Sequence, residues 1–282
     1  MKCLLGLAIG SMLFTAGVAR AVPPGLGQHF DCSDGGDTSC ATDDRGCVSN
    51  FSKGHIACSG KISAALAKAV FATMICHIDQ AEKRFKGASE QGAGQSEENC
   101  ENNPGNSAQG TLDKKIAALK EQGICDPLQL TGAANEEAVL FGPPGAGSLD
   151  DQNGLVFCDS ASAALIGDDD TGFVPATADI FRCEATVAKA LAKLVVSGAK
   201  CHINMNKAFF KGKDFDEEAC EETSGPTLRG ALDKFNKVRD KLLAQNICPT
   251  CLDKTGMDNV AATALSQLDA ANDKVFPCGL AP

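Results

Sequence analysis

Two stretches of the chain share one pattern of cysteine, alanine and histidine. Residues 58–87 and 183–212 are identical at twelve of their thirty positions without a gap. Both contain an Ala-Leu-Ala-Lys tetrad, which starts at Ala65 and Ala190, and both contain a Cys-His-Ile triplet. This agreement indicates an internal duplication, so the chain is expected to contain two tandem units of the same kind.

The cysteine spacing within each stretch limits how the chain can fold. Cys58 and Cys76 are eighteen residues apart, as are Cys183 and Cys201, and apolar residues between them recur at steps of three and four. These steps are the period of an α-helix. Eighteen residues make five whole turns, so both cysteines lie on one helix face, about 27 Å apart along the axis. They cannot bond to each other, and each must reach a second element.

That second element is predicted to be a returning helix. In the first unit it covers residues 111–122, and in the second unit it covers residues 226–245, each with one apolar stripe. If each helix folds back antiparallel, the expected bridges are Cys58–Cys125, Cys76–Cys100, Cys183–Cys248 and Cys201–Cys220. The predicted fold is all-α, with two tandem disulfide-clamped antiparallel helical hairpins.

In geometry this arrangement is similar to the hairpins of the twin-cysteine coiled-coil-helix proteins. Those hairpins have a shorter spacer than the seventeen residues found here. The likeness implies no function for this chain.

The N-terminus has the pattern of an exported protein. Residues 1–21 contain one Lys, an apolar run and the small-residue ending Ala19-Arg20-Ala21, which is typical of a secretory signal peptide. We therefore predict a secreted or periplasmic protein. Residues 22–57 are predicted to be an irregular Asp/Gly/Cys-rich segment, followed by unit 1 (58–148), a linker (149–182) and unit 2 (183–282).

Cysteine usage agrees with export. The chain has fifteen cysteines, and loss of Cys3 with the signal peptide would leave an even number, which is typical of a disulfide framework. For the cysteines outside the four clamps, the sequence suggests three further bridges: Cys40–Cys47, Cys32–Cys158 and Cys251–Cys278.

The net charge limits the possible partners. A formal charge of −10 argues against binding to nucleic acid or to an anionic membrane surface, since both require a basic face. Beyond the signal peptide, no run approaches the ~20 consecutive apolar residues that span a bilayer. The expected partner is another protein or a matrix. The acidic runs at 168–170, 216–218 and 221–222 are interpreted as solvated loops.

No catalytic motif is recognisable in the sequence. G-x-S-x-G, H-E-x-x-H and the phosphate-binding glycine loop are all missing, so no enzyme is indicated. The predicted function is a structural or binding role without a cofactor. A second hypothesis is thiol-disulfide exchange at the Cys-Pro-Thr-Cys motif of Cys248 and Cys251. The chain lacks the βαβ pattern of such proteins, which favours structural disulfides.

His77 and His202 carry the remaining hypothesis, that of a metal or haem binder. They occupy the same position in the two copies, and a two-fold arrangement of the units could bring both imidazoles to one ion. Covalent haem attachment through Cys-x-x-Cys-His is not possible, because that motif is missing. The simpler interpretation is that each His forms local hydrogen bonds.

Overall fold

The computed structural model describes residues 28–29, 46–48, 52–143, 147–167, 169–222 and 230–278. The predicted signal peptide (1–21), Cys32, Cys40 and most of the segment 22–57 lie outside these ranges. Helices dominate the described residues, which confirms the helical class: α1 (Lys53–Phe85), α2 (Glu90–Glu101), α3 (Ala108–Glu121), α4 (Pro127–Leu140), α5 (Leu149–Asn153), α6 (Ala178–Phe210), α7 (Glu217–Glu221), α8 (Ala231–Gln245) and α9 (Lys254–Val275). Short 3-10 helices cover Ser160–Ser162 and Thr250–Leu252, and β1 (Gln28–His29) pairs antiparallel with β2 (Cys47–Val48).

The two repeated stretches form the two longest helices. α1 and α6 have 33 residues each, and they pack against each other more extensively than any other pair of described helices. Ser52 and Thr177 cap their N-termini, and the hydroxyl of each accepts a hydrogen bond from the backbone N–H three residues later. Each helix stops just before a glycine with positive φ, Gly87 or Gly212, a conformation that disfavours other residues.

The predicted return helices are α3 and α8. α3 packs on α1, and α8 packs on α6. Leu112 and Leu119 of α3, and Phe235 and Leu242 of α8, are buried at these contacts. Full burial of each such side chain contributes roughly 1.5–3 kcal/mol to stability. The start of the predicted second return helix overlaps residues 223–229, which are outside the described ranges.

The four predicted clamp bridges are present. Cys58–Cys125 and Cys183–Cys248 have Cα separations of 5.3 Å and 5.2 Å. Cys76–Cys100 and Cys201–Cys220 have separations of 5.8 Å and 5.7 Å. As the five-turn spacing requires, the two cysteines of each long helix bond to different elements.

The other predicted bridges are wrong wherever the described residues test them. Cys47 bonds to Cys278 and not to Cys40, and Cys251 bonds to Cys158, which contradicts both Cys251–Cys278 and Cys32–Cys158. Both bridges span long separations, 231 and 93 residues, which local patterns do not reveal. Cys47 is held at the end of α9, where its backbone N–H donates to the Phe276 carbonyl at 2.8 Å. The six bridges between described residues are typical of proteins from oxidising compartments.

By length and composition, helix α1 could cross a membrane, and it is the only described helix that meets both criteria. Its most apolar window has a mean hydropathy of 1.4. Within the protein, 56% of that window is buried, as expected for a core helix, and core helices pass the same length and hydropathy test. The apolar character of α1 is therefore accounted for by its packing against α6, α3 and α2.

Candidate metal centres

Helix α1 places His77 on its buried face, next to a cysteine that fixes a second helix beside it. His77 is 0% exposed, and the adjacent Cys76 bonds to Cys100 on α2. Glu97 and Glu101 lie four positions apart on α2, hence on one face of this helix, and both are buried. The Cys76–Cys100 bridge therefore holds this face of α2, with both carboxylates, next to the imidazole of His77.

Two more carboxylates reach His77 from the segment between the long helices. Asp150 lies in the first turn of α5, and Asp170 lies in the loop that follows. Thr171 joins these segments, because its backbone N–H and its hydroxyl donate to the Asp150 carbonyl at 3.1 Å and 3.0 Å. Gln80, one turn after His77 on α1, donates its amide to Asp170 Oδ2 at 2.6 Å and orients that carboxylate.

The four carboxylates form two potential ligand sets that share the imidazole of His77, and we call these five residues site 1. The Nε2 atom of His77 lies 3.2 Å from Asp170 Oδ1, 3.4 Å from both Asp150 Oδ1 and Glu101 Oε2, and 3.6 Å from Glu97 Oε1. Neither ring nitrogen of His77 and neither side-chain oxygen of Glu101 forms a hydrogen bond with another described residue. Since each buried unsatisfied polar group costs about 1–3 kcal/mol, this arrangement requires a further explanation.

An equivalent cluster, which we call site 2, surrounds His202 on α6. The bridge Cys201–Cys220 fixes α7 beside it, and Nε2 of His202 lies 3.4 Å from Glu217 Oε1 and 3.3 Å from Glu221 Oε1. Asp269 of α9 approaches to 3.8 Å. Asp269 follows Leu268, and this Leu-Asp pair corresponds in the sequence to Leu149-Asp150. His202, Glu217 and Glu221 are all buried.

The electrostatics of site 1 show an excess of buried negative charge. Burial raises the pKa of Glu97 to about 10, with His77 opposing this and Asp170 and Glu101 adding to it. Burial also raises the pKa of Asp170 to about 6, against the opposing effects of His77 and Gln80. For His77, burial lowers the pKa, but the surrounding carboxylates outweigh burial and raise the pKa well above its ordinary value. Without another cation, the site therefore retains protons.

The spacing of these atoms matches that of ligands around a metal ion. Imidazole nitrogen and carboxylate oxygen bind first-row divalent ions at about 2.0–2.2 Å, which places neighbouring ligands roughly 3.0–3.5 Å apart. Most of the Nε2–oxygen distances in the two sites fall in or near this range. Three sets of potential ligand atoms lie within 4.8 Å of one another: His77 with Glu97 and Glu101, His77 with Asp150 and Asp170, and His202 with Glu217 and Glu221.

Several expectations from the sequence need correction here. The two imidazoles do not meet at one ion, because among the described residues each faces its own set of carboxylates. Among the described residues, neither nitrogen of the His77 ring has a hydrogen-bond partner, so the expected local hydrogen bond is not observed. The acidic runs are not simply solvated loops: Asp170, Glu217 and Glu221 are only 5–6% exposed, because the loop and α7 fold onto the long helices.

The Cys-Pro-Thr-Cys motif does not close on itself. Cys248 bonds to Cys183 on α6, and Cys251 bonds to Cys158 in the segment before α6. A redox-active Cys-x-x-Cys motif alternates between a dithiol and an internal disulfide. The observed pairing divides the motif between two structural bridges and gives the oxidoreductase hypothesis no support.

A repeated motif that marks both sites was missed in the sequence. Glu-Glu-x-Cys-Glu occurs at residues 97–101 and again at 217–221. Its first and last Glu are four positions apart, hence on one helix face, and its Cys is the one that bonds beside the histidine. Within five residues, each copy of the motif thus contains one cysteine of the bridge and two carboxylates of the site.

Gly198 offers a test of the carboxylate position in site 2. A Cβ atom at this position, one turn before His202, would lie 2.7 Å from Glu221 Oε1 and 2.7 Å from Leu268 Cδ2. We expect Gly198→Ala to displace the Glu221 carboxylate and to weaken metal binding at site 2 about 10–100-fold, as disturbed ligand support does. Site 1 should be unaffected, which calorimetric titration of the two sites can measure.

The matched control is Ser197→Ala, the neighbouring position on the same helix. Alanine improves helix propensity over glycine by about 1 kcal/mol, so loss of binding in Gly198→Ala would not come from an unstable helix. Unchanged affinity at site 2 would contradict the proposed ligand role of Glu221.

Comparison of the chain with known protein families, with curated proteins and with solved structures gives no match.

Proposed function

We propose that this chain is an exported metal-binding protein with two sites, each of which holds a divalent first-row transition-metal ion. The proposal is based on one observation: four carboxylate oxygens surround the buried Nε2 atom of His77 at distances of 3.2–3.6 Å. A divalent ion would bond to the orphaned polar atoms of site 1 and neutralise much of their charge.

The ligand types favour Mn²⁺, Fe²⁺ or Zn²⁺. Carboxylates suit the harder ions, whereas imidazole suits iron and zinc, and both kinds are present at each site. Soft thiolate ligands are not offered, because the nearby Cys76 and Cys201 are in disulfides. The haem alternative is not favoured, because the carboxylates crowd the imidazole on its Nε2 side, where a haem iron would bind.

The recurrence of the site supports the interpretation of the chain as a tandem duplication of residues 58–148 and 183–282. His, the anchoring bridge, the Glu pair and the Leu-Asp pair recur in the same order in both halves. The structural role predicted from the sequence becomes the supporting part of this function, because the disulfide frame holds the ligands in place. The signal pattern and the six bridges support a secreted or periplasmic location.

Metal stoichiometry tests the proposal directly. We expect the disulfide-bonded protein, stripped with chelator and dialysed against Mn²⁺ or Zn²⁺, to retain two ions per chain by elemental mass spectrometry. His77→Ala and His202→Ala should retain one ion each, and the double variant none. His55→Ala, a histidine near the start of α1 and outside both sites, is the matched control and should retain two.

Two outcomes would overturn the proposal. One is the lack of any stoichiometric ion after dialysis against Mn²⁺, Fe²⁺ or Zn²⁺. The other is a double variant that still retains two ions, because the histidines would then not be ligands.

A further inference from the structure

Two apolar grooves adjoin on the outer surface of the long helices. The first lies between α1 and α3 and has a volume of about 780 Å³. The second lies between α6 and α8 and has a volume of about 550 Å³. Lys68 and Phe71 of α1 line both grooves, so the two form one continuous surface feature, which we call the trough.

Short side chains form the floor of the first groove. α1 contributes alanines at successive turns, among them Ala65, Ala69 and Ala72, and these face Leu112 and Ala118 of α3. Because alanine extends little from the helix, α1 and α3 leave a channel where larger residues would interdigitate. Ala65, Ala69 and Leu112 are themselves buried, and the apolar strip of α1 that stays partly exposed in the trough consists of Ala64, Phe71, Ala72 and Ile75.

The rim of the trough is positively charged. Lys61 and Lys115 border the first groove, Lys193 and Lys234 border the second, and Lys68 lies at their junction. All five are exposed. None of the described residues that line either groove is acidic, although the chain has 36 acidic and 26 basic residues.

These lysines have no carboxylate partners in the described part of the chain. Lys61 donates a hydrogen bond to the Gln122 side chain at 3.2 Å, which leaves its charge uncompensated. Lys side chains commonly lay their methylene stems along apolar surface and keep the amine in water. The trough thus has the two properties that an amphiphilic anion requires.

We propose that the trough binds a free long-chain fatty acid, with its carboxylate at Lys68 and its acyl chain along the groove between α1 and α3. Each groove has a volume in the range of about 300–1,000 Å³ typical of small-molecule sites. A peptide helix of ten residues, about 10–12 Å across and 15 Å long, fills more than ~1,000 Å³. A single acyl chain is the narrower ligand and matches the groove better.

This proposal does not depend on metal binding, and its test is done in the presence of chelator. The chain contains no Trp, so Ala72→Trp places a unique fluorophore in the groove. Titration with palmitate below its micelle concentration should give a saturable blue shift with one ligand per chain. Calorimetric titration of the unmodified protein should give the same stoichiometry, which excludes an effect of the tryptophan.

Chain length and charge provide two further readouts. Each added methylene group should tighten binding, by up to about fourfold, until the groove is filled. Lys68→Glu should weaken palmitate binding at least tenfold. Lys189→Glu, an exposed lysine on α6 that lines neither groove, is the matched control and should bind normally.

Three results would overturn the proposal: no saturable palmitate binding by either measurement, equal effects of Lys68→Glu and Lys189→Glu, or binding of hexadecyltrimethylammonium as tight as that of palmitate. Tighter binding of an acidic amphipathic peptide than of palmitate would identify a helical protein partner in its place.

Discussion

Saturation of site 1 and site 2 with Mn²⁺ or Zn²⁺ is expected to raise the melting temperature of the oxidised protein. A ligand at 100 times its Kd stabilises the folded state by about 2.7 kcal/mol per site. For a chain of this size, that corresponds to roughly 5–10 °C per site. Scanning calorimetry in chelator and in excess metal measures the difference.

A single amide substitution should separate stability from metal binding. In Glu101→Gln, a buried carboxyl group among other carboxyl groups is replaced by an amide that can donate hydrogen bonds to its neighbours. We expect the chelator-treated variant to be more stable than the parent, by about 1–3 kcal/mol. Its stabilisation by metal should fall to about half, because only site 2 would still bind.

Glu98→Gln on the same helix is the matched control. Glu98 accepts a hydrogen bond from Asn102 and is not one of the four carboxylates within 4 Å of His77 Nε2. This variant should keep the full response to metal. If Glu101→Gln lowered the stability of the metal-free protein and left the response to metal intact, Glu101 would have a purely structural role.

The pH dependence of stability should reverse when metal binds. In the metal-free protein the pKa values of Glu97, Asp170 and His77 are all raised. The folded state therefore binds more protons than the unfolded state, and the free energy of unfolding falls as pH rises from about 4 towards 10. Metal ligation requires deprotonated groups, so the stabilisation by metal should grow as pH rises.

The number of protons released on metal binding at site 1 can be measured directly. With the pKa of Glu97 at about 10 and that of His77 well above its ordinary value, metal binding at site 1 near pH 7 should release more than one proton. Titration calorimetry in buffers of different ionisation enthalpy measures this number. Release of no proton would contradict ligation by these groups.

Glu184 supplies the control for the pH profile. It is buried outside both sites, and burial raises its pKa to about 8, although the hydrogen bond that it accepts from the Asp159 backbone N–H opposes this rise. In the parent it contributes a fall in stability between about pH 4 and 8, with or without metal. Glu184→Gln should remove that contribution and leave the reversal by metal in place.

Much of the framework of long helices and clamp bridges could be predicted from the sequence, because it depends on local periodicity. The three- and four-residue steps and the five-turn cysteine spacing predicted α1, α6 and their four clamp bridges. The bridge Cys47–Cys278 could not be predicted in this way, because it depends on the N-terminal strand reaching the end of α9, 231 residues away.

The site was only partly predictable. His77 and His202 were identified because they recur in the repeated stretches, but the burial of their carboxylates depends on tertiary packing. Glu97 lies in a Gly/Ser/Asn-rich segment that has little apolar character, yet this segment forms α2 because Ser89 caps it and Cys100 attaches it to α1. Composition alone therefore indicated solvent exposure where the bridge produces burial.

The position of Cys76–Cys100 and Cys201–Cys220 also implies an order of maturation. Each bridge joins the turn that carries the imidazole to the turn that carries the glutamates, so a reduced chain lacks the covalent link that aligns these ligands. Oxidation should precede metal loading, so an ion would be acquired in the oxidising compartment where the bridges form. Because availability often decides which ion a protein acquires, the metal supply of that compartment would then select the ion that this protein carries.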